Sequence, residues 1–212
     1  MSIELDCYEI TLTLLTPMLG TAPGNKEIYR DHIIRKAEEA GVELDEEDID
    51  AEVETVPEME EKGMTVFRRI GDNGPPCITD YMVRGFFKAA CGALRRSSKT
   101  ESSKVTAYKR VVDTNVFIVE REIPLALPDG TEIEYLERPL RADTAQGPRV
   151  AIACSESAPE NTSLSFTVEV LAECKITEKV LREWLDYGRY HGLGQWRGGG
   201  YGCFAYEMKK IK

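Results

Sequence analysis

The chain has 212 residues, of which 42% are hydrophobic and 30% charged, and this composition predicts a single globular domain. It has no apolar run of the roughly 18–20 residues that a membrane span needs and no signal-like start, so we expect a cytoplasmic protein without a membrane partner. The net charge of −10 argues at first sight against a nucleic-acid partner.

The negative charge is concentrated in one segment. Of the 37 acidic residues, 13 lie between Glu38 and Glu61 without a basic residue among them, so the other 24 face 27 basic residues. We therefore predict one domain over 1–212, with a partly helical acidic insertion over 24–63. The insertion is either simply solvated, a cover over a basic surface, a mimic of nucleic-acid phosphate, or a contact for a protein partner or a second copy of the chain.

The cysteines do not form a metal-binding pattern. No CxxC exists, the closest pair is fourteen residues apart, and the chain has two histidines. We expect buried thiols, no metal site and no cofactor. The cysteines are Cys7, Cys77, Cys91, Cys154, Cys174 and Cys203.

The first third of the chain predicts two strands around the insertion. Tyr8, Ile10, Leu12 and Leu14 alternate as one face of a strand. Residues 26–41 have helical spacing, and residues 64–70 are typical of a short strand. The acidic segment between them holds few large apolar residues, so we do not expect it to build a core of its own.

A basic helix and loop follow. Residues 78–96 predict a helix with Asp80 as its N-cap and an apolar stripe formed by Met82, Phe86, Phe87, Ala90 and Leu94. From Arg84 to Arg110 there are eight basic residues and one acidic residue, half of the basic ones in RRSSKTESSK. Such a loop is either solvated or in contact with phosphates. The candidate nucleic-acid ligands are Arg84, Lys88, Arg95, Arg96, Lys99 and Lys104.

The second half predicts mainly strands. Residues 115–142 suggest a β-hairpin about Asp129-Gly130, and residues 149–159 and 162–171 suggest two further strands. A helix follows over 177–192, capped by Thr177 and ended by Gly192, with a buried side formed by Val180, Leu181, Trp184 and Leu185. A last strand begins near residue 201. This order favours an α+β fold, an antiparallel sheet with two helices on one face.

The most unusual stretch is HGLGQWRGGGYGCF, residues 191–204, the glycine-rich loop. Its glycines allow positive φ, and their exposed N–H groups are able to form an anion site that Arg197 would complete. Trp196 and Tyr201 either stack on bases or pack under the loop. A helix precedes the loop and a strand follows it, the reverse of a dinucleotide fingerprint. The alternative is a connection that only turns the chain. The candidate ligands are Gly194, Trp196, Arg197, Gly198, Gly199, Gly200 and Tyr201.

Four stretches together resemble a known family. GLGQWRGGGYGCF is similar to the C-terminal glycine-rich loop of the CRISPR-associated RAMP superfamily, and LTLLTPMLGTAPG to the first strand and loop of its backbone subunits. YMVRGFFKAACGALRR resembles their first helix, with a basic–glycine pair retained, and AQGPRVAIACSESAPENTSLSFTVEVL their central hairpin. The stretches cover about a third of the chain, and the sequence also resembles uncharacterised prophage proteins of Gram-positive bacteria.

The resemblance implies a ferredoxin-like (RRM-like) fold with the acidic insertion at a site where the family varies. It also implies non-catalytic binding of single-stranded nucleic acid, RNA favoured, by a protein of a phage or mobile element. A homo-oligomer is a further implied arrangement, because the backbone subunits form filaments.

Two alternatives to a non-catalytic binder remain. In a metal-independent endoribonuclease, His191 would be the general base beside Arg197; otherwise His191 only interacts with the end of its helix. By resemblance to subunits that cut target RNA, Asp31 is a second catalytic candidate, although an ion pair with Arg35 explains it equally. In an interaction or inhibitor protein, residues 38–61 would bind a protein partner.

Overall fold

A computed structural model describes residues 3–26, 30, 33–34, 49–50, 53–54, 64–71, 74–144 and 147–212. The strands are β1 (Leu5–Leu14), β2 (Met18–Leu19), β3 (Ala22–Pro23), β4 (Thr65–Val66), β5 (Arg68–Arg69), β6 (Pro76–Thr79), β7 (Val116–Ile118), β8 (Glu122–Pro124), β9 (Glu134–Thr144), β10 (Gly147–Ala158), β11 (Ser163–Leu171) and β12 (Phe204–Lys210). The fully described helices are α1 (Asp80–Leu94), α2 (Tyr108–Asn115) and α3 (Glu178–Tyr187), and Glu101–Lys104 and Arg197–Gly199 form 3-10 turns.

The central sheet confirms the predicted α+β, ferredoxin-like fold. Its four strands are antiparallel in the order β12-β1-β11-β7. Together with α1 and α3 they follow one another as β-α-β-β-α-β, so the spatial order is 4-1-3-2, as in a split βαβ unit. The remaining strands are insertions: β2 to β6 precede α1, and β8 to β10 lie between β7 and β11.

Alternating apolar residues build this sheet as predicted. Ile10 and Leu12 of β1 are buried and lie opposite Phe166 and Leu164 of β11. These strands and the helices form one hydrophobic core, in which the Trp184 ring lies 5.4 Å from that of Phe87. Burial of one face of each strand fixes the register, because a shift by one residue would expose every core side chain.

Both main helices form where the sequence predicts them, but their ends differ from the prediction. Thr79 occupies the N-cap position of α1, and Asp80 is the first helical residue, ion-paired with Arg84 one turn later. Helix α3 ends at Tyr187 with Gly188 as its C-cap, rather than near Gly192. Gly188 is required there because a Cβ would lie 2.2 Å from the Phe204 ring.

The predicted hairpin about Asp129-Gly130 is wrong. A turn does form there, since the Thr131 N–H donates to the Pro128 carbonyl and Gly130 has a φ of +75°. The flanking strands pair elsewhere: β7 with β11, β8 with β6, and β9 with β10. Local alternation marks a strand but does not specify its partner, and β9 aligns along almost the whole of β10.

The acidic segment has a packed side that the sequence did not predict. Ile49 and Val53 are buried in a second small cluster with Ala22, Met64 and Val66. Some of its charge is also neutralised locally, because Glu54 accepts from Lys26 Nζ at 2.8 Å and Asp50 pairs with Arg30. Most of the predicted helix 26–41, Asp31 and the remaining acidic residues lie outside the described residues.

The cysteines are unbridged, and four of the six are buried. The two that are half-buried are Cys154 and Cys174. Within the described ranges, no helix combines the length and the apolar character needed to cross a bilayer.

Candidate nucleic-acid interface

The base of the glycine-rich loop is fixed to the segment that follows β1. The Gly202 N–H donates to the Pro17 carbonyl at 2.8 Å, and the Gln195 N–H donates to the Leu19 carbonyl at 3.3 Å. Across the base, the Leu193 N–H donates to the Gly202 carbonyl at 2.9 Å. The loop therefore begins and ends on the core of the domain, at the edge where β1 ends and β12 begins.

The glycines of the loop fall into two groups. At the base, a Cβ on Gly202 would lie 1.9 Å from the Leu193 carbonyl oxygen, and one on Gly194 would lie 2.7 Å from that of Leu19. Both residues also have positive φ, so packing and backbone conformation require glycine there. At the tip, Gly198 and Gly200 are exposed, and a Cβ at either would meet nothing within 4 Å. Gly200 has a φ of +90°, so backbone conformation favours glycine there, whereas Gly198 has neither constraint.

The tip, residues 196–201, presents unpaired backbone donors. In the described part of the chain, the N–H groups of Arg197, Gly198 and Tyr201 have no hydrogen-bond acceptor. Trp196, which precedes the 3-10 turn, has a φ of +55° and is 42% exposed. A side chain of this size is uncommon in the left-handed region, so the tip carries some backbone strain.

An arginine that the sequence analysis missed lies beneath the tip. The guanidinium of Arg138, on β9, lies 4.3 Å from the centre of the Trp196 ring and 5.6 Å from that of Tyr201. Its Nη2 donates to Ser155 Oγ at 2.8 Å and to Gln195 Oε1 at 3.3 Å. The only sequence signal was a charged residue within a strand, and it became meaningful once the pairing of β9 with β10 was known.

The basic residues of α1 and the loop after it, residues 95–104 (the basic loop), are mostly occupied. Arg84 pairs with Asp80, Lys88 pairs with Asp113, and Lys104 Nζ lies 2.7 Å from a Glu101 oxygen. The Arg95 guanidinium lies over the Tyr108 ring at 5.1 Å. Three of the six candidates are exposed and have no ion pair in the described part of the chain: Arg95, Arg96 and Lys99. Of these, Arg96 and Lys99 also lack a ring contact there.

The basic loop is anchored to α3 through its backbone. Glu183 accepts hydrogen bonds from the N–H groups of Glu101 and Ser102 at 2.6 and 2.9 Å. Trp184 Nε1 donates to Ser102 Oγ at 3.1 Å. The basic loop and the glycine-rich loop are thus held by different elements, and no described hydrogen bond or ion pair joins them.

A cavity of about 320 Å³ lies between the basic loop and the segment that leads to the glycine-rich loop. Its walls combine the exposed Tyr190 ring with carboxylates, so they are unsuited to an anion. The lining residues are Leu94, Thr100, Glu183, Asp186, Tyr187 and Tyr190.

His191 lies between the cavity wall and the tip. Its ring stacks on Tyr187, with centroids 5.5 Å apart. Burial, and secondarily the charge of Arg197, lowers the pKa of His191. This direction is opposite to the one expected of a histidine whose charged form is stabilised by a helix C-terminus. The other catalytic candidate, Asp31, lies outside the described residues, and no group of three His, Cys, Asp or Glu that is able to hold a metal occurs within them.

No family model and no curated protein matches the sequence. Among 138 matching chains of solved structures, one belongs to the cryo-EM structure of the Type III-B Cmr-beta bound to cognate target RNA, with a TM-score of 0.52 and 10% identity. The match covers 99% of this chain and 61% of that chain, so this chain spans less than two thirds of the length of its neighbour. At this identity the likeness shows a shared fold alone.

Proposed function

We propose that the chain binds single-stranded nucleic acid, with RNA favoured, through the tip of the glycine-rich loop, and does not cleave it. The observation that carries the proposal is the tip itself: exposed glycines that no packing contact requires, next to N–H donors without an acceptor in the described part of the chain, Arg197 and an exposed indole. Backbone donors and an arginine suit phosphate oxygens, and an indole face suits a base.

A glycine on α1 suits a ligand contact on that helix as well. Gly85 lies in the helix interior, where glycine costs about 0.5–1 kcal/mol relative to alanine. A Cβ at Gly85 would meet nothing within 4 Å, and its φ is not positive. Because packing and backbone conformation do not require glycine there, close approach of a ligand backbone beside Arg84 accounts for it.

The cations add a second contact to the proposed surface. Arg96 and Lys99 are free to meet phosphates, whereas Arg84, Lys88 and Lys104 would first have to leave a carboxylate. The shared fold with a chain of an RNA-bound structure agrees with this proposal. We assign the chain to the cytoplasm as a divergent RAMP-like protein of a mobile element, on the resemblance of its motifs.

The acidic segment is proposed to cover the basic surface when nucleic acid is absent. Removing residues 38–61 would also remove Ile49 and Val53, which are buried. A change in RNA binding by the deletion variant would therefore not distinguish exposure of the basic surface from loss of folded structure. Amide substitution of the acidic residues other than Asp50 and Glu54 removes charge and keeps the described ion pairs and packing. A protein partner or a second copy of the chain at this segment is the alternative role.

The test is fluorescence anisotropy with labelled single-stranded RNA and DNA at two salt concentrations. We expect the intact chain to bind, RNA more tightly than DNA, with affinity falling as salt rises and increasing in the amide-substituted variant. Lys209 is an exposed lysine at the far end of β12, and Lys209→Ala is the control for variants of the tip that lose one positive charge. Absence of binding by both forms would contradict the proposal and favour the protein-partner role.

A ribonuclease is the second candidate, favoured by the state of His191. A lowered pKa keeps this imidazole neutral at pH 7, as a general base requires, and Arg197 is near enough to affect its titration. Gel analysis of the binding mixtures in chelator tests it. RNA shortened by the intact chain but not by His191→Ala would establish cleavage, whereas intact RNA in both would leave the non-catalytic binder.

A further inference from the structure

Among the described residues, Arg138 is a buried charge without a counter-ion. The residue is 6% exposed, and its Nε and Nη1 atoms are buried with no hydrogen-bond partner in that part of the chain. Its contacts are to the neutral groups of Ser155, Gln195, Trp196 and Tyr201. Burying a charge in this way is costly, and unsatisfied buried donors in a folded protein call for an explanation.

Two neighbouring arginines show how this chain otherwise treats a buried guanidinium. Arg69 donates to both oxygens of the buried Glu156, at 2.6 and 3.1 Å. The buried Arg68 lies 3.5 Å from a Glu122 oxygen. Carboxylates thus face these arginines of β5, while none faces Arg138 in the described part of the chain.

The polar groups around Arg138 do not need it. The Thr65 hydroxyl donates to Ser155 Oγ at 2.7 Å, and the Ser155 hydroxyl donates to Gln195 Oε1 at 3.1 Å. This chain of hydrogen bonds joins β4, β10 and the glycine-rich loop without the arginine. A role in satisfying these groups therefore does not explain the charge.

The cover over Arg138 is formed by the tip of the glycine-rich loop. Trp196 closes over the guanidinium from a left-handed backbone conformation and is still 42% exposed. Glycines follow it at the tip, and the N–H groups of Arg197 and Gly198 have no acceptor among the described residues. A rotation of the indole would open the guanidinium to a ligand without disturbing the anchored base of the loop.

We propose that Arg138 is the receptor for a phosphate group, reached when Trp196 moves aside, and that on the function proposed above this phosphate belongs to bound RNA. The anion supplies the missing counter-charge and acceptors for Nε and Nη1. The free protein keeps an unpaired charge at a cost to its stability, and binding relieves that cost.

The test is Arg138→Met in the full chain, because methionine keeps the length and loses the charge. The proposal predicts that thermal unfolding of the free variant occurs at the same temperature or higher, as expected on removing an unpaired buried charge. It also predicts RNA affinity lower by about tenfold or more. Arg138→Lys, which keeps the charge, should retain part of the affinity and is the second variant should Arg138→Met not fold.

Inorganic phosphate separates the two sources of the anion. It should raise the unfolding temperature of the intact chain but not of Arg138→Met, and should change the emission of Trp196, one of two tryptophans and the exposed one. Protection by phosphate without RNA binding would keep the receptor and reject the proposed function. Equal RNA binding by the intact chain and Arg138→Met would overturn the receptor and keep the proposed function. The same conclusion would follow if Arg138→Met folds, is destabilised and binds RNA normally.

Discussion

The glycine-rich loop and the basic loop were predicted as two parts of one site, and the structure builds them in opposite ways. In the basic loop and α1, charge is plentiful, but three of the six cations have a carboxylate partner. In the glycine-rich loop, charge is sparse, but in the described part of the chain backbone N–H groups of the tip lack acceptors, as do Nε and Nη1 of Arg138 beneath it. Unused hydrogen-bonding and charge capacity, rather than the number of cations, therefore marks the better candidate interface.

The largest expected difference is between substitutions at the base and at the tip of the glycine-rich loop, in their effect on the free energy of unfolding. Gly202→Ala forces a Cβ to within 1.9 Å of the Leu193 carbonyl oxygen at a positive φ, and we expect a loss of more than about 3 kcal/mol in the free energy of unfolding. Gly198→Ala meets open space and should change it by less than about 0.5 kcal/mol. Urea titration of the pair checks this, and equal losses would show that the tip is also structural.

Cations without a carboxylate partner should contribute more to the salt dependence of RNA binding than cations that have one. Arg96→Ala with Lys99→Ala removes two unpaired charges, and we expect the magnitude of the slope of log affinity against log salt to fall by up to about 1.4 for single-stranded RNA. Arg84→Ala with Lys88→Ala removes two charges that already have partners, so a smaller fall is expected. Anisotropy over a salt series measures both slopes. A larger effect of the second pair would reverse the assignment within the basic region.

The glycine of α1 offers a test in which stability and binding move in opposite directions. Gly85→Ala should raise the free energy of unfolding by about 0.5–1 kcal/mol, because alanine favours the helix and has room. The same variant should bind RNA more weakly if the ligand approaches this turn. Higher stability with unchanged affinity would remove α1 from the interface.

The smallest expected effect concerns His191 and pH. Its pKa in the folded chain lies below the ordinary 6.5, so the unfolded chain binds more protons as pH falls past 6.5, and stability declines below that pH. His191→Gln should flatten this decline in urea midpoints between pH 7 and 5.5. The same change at His32, the other histidine, measures that residue's share. An unchanged slope in His191→Gln would mean that burial of its ring does not govern its titration.

The sequence predicts the local elements well because periodicity is a local property. Both the alternation through Ile10 and Leu12 and the buried side of α3 around Trp184 could be predicted, because each pattern depends only on residues close together in the sequence. Strand pairing was less accessible: the turn at Asp129-Gly130 is real, yet the strands around it pair with distant partners. The same limit hid Arg138, whose contacts come from residues 17 and 57 or more positions away.

The glycine-rich loop shows both the strength and the limit of composition. Six glycines in fourteen residues marked the loop, but they did not reveal which glycines are needed for packing and which leave open space. That division depends on how close the loop approaches the segment after β1, through contacts between residues 176 and 185 positions apart. Likewise, the sequence marked six of the eight basic residues as candidate ligands without showing which of them already have partners.

The most direct test of the central claim is RNA binding by a variant of the tip, Trp196→Ala with Arg197→Ala, compared with the intact chain and Lys209→Ala. Neither the Trp196 nor the Arg197 side chain makes a hydrogen bond or an ion pair in the described part of the chain, so the variant should fold. The account predicts affinity for single-stranded RNA lower by about tenfold or more in the tip variant and nearly unchanged in the control. Equal affinity of all three proteins would contradict the account and move the interface away from the glycine-rich loop.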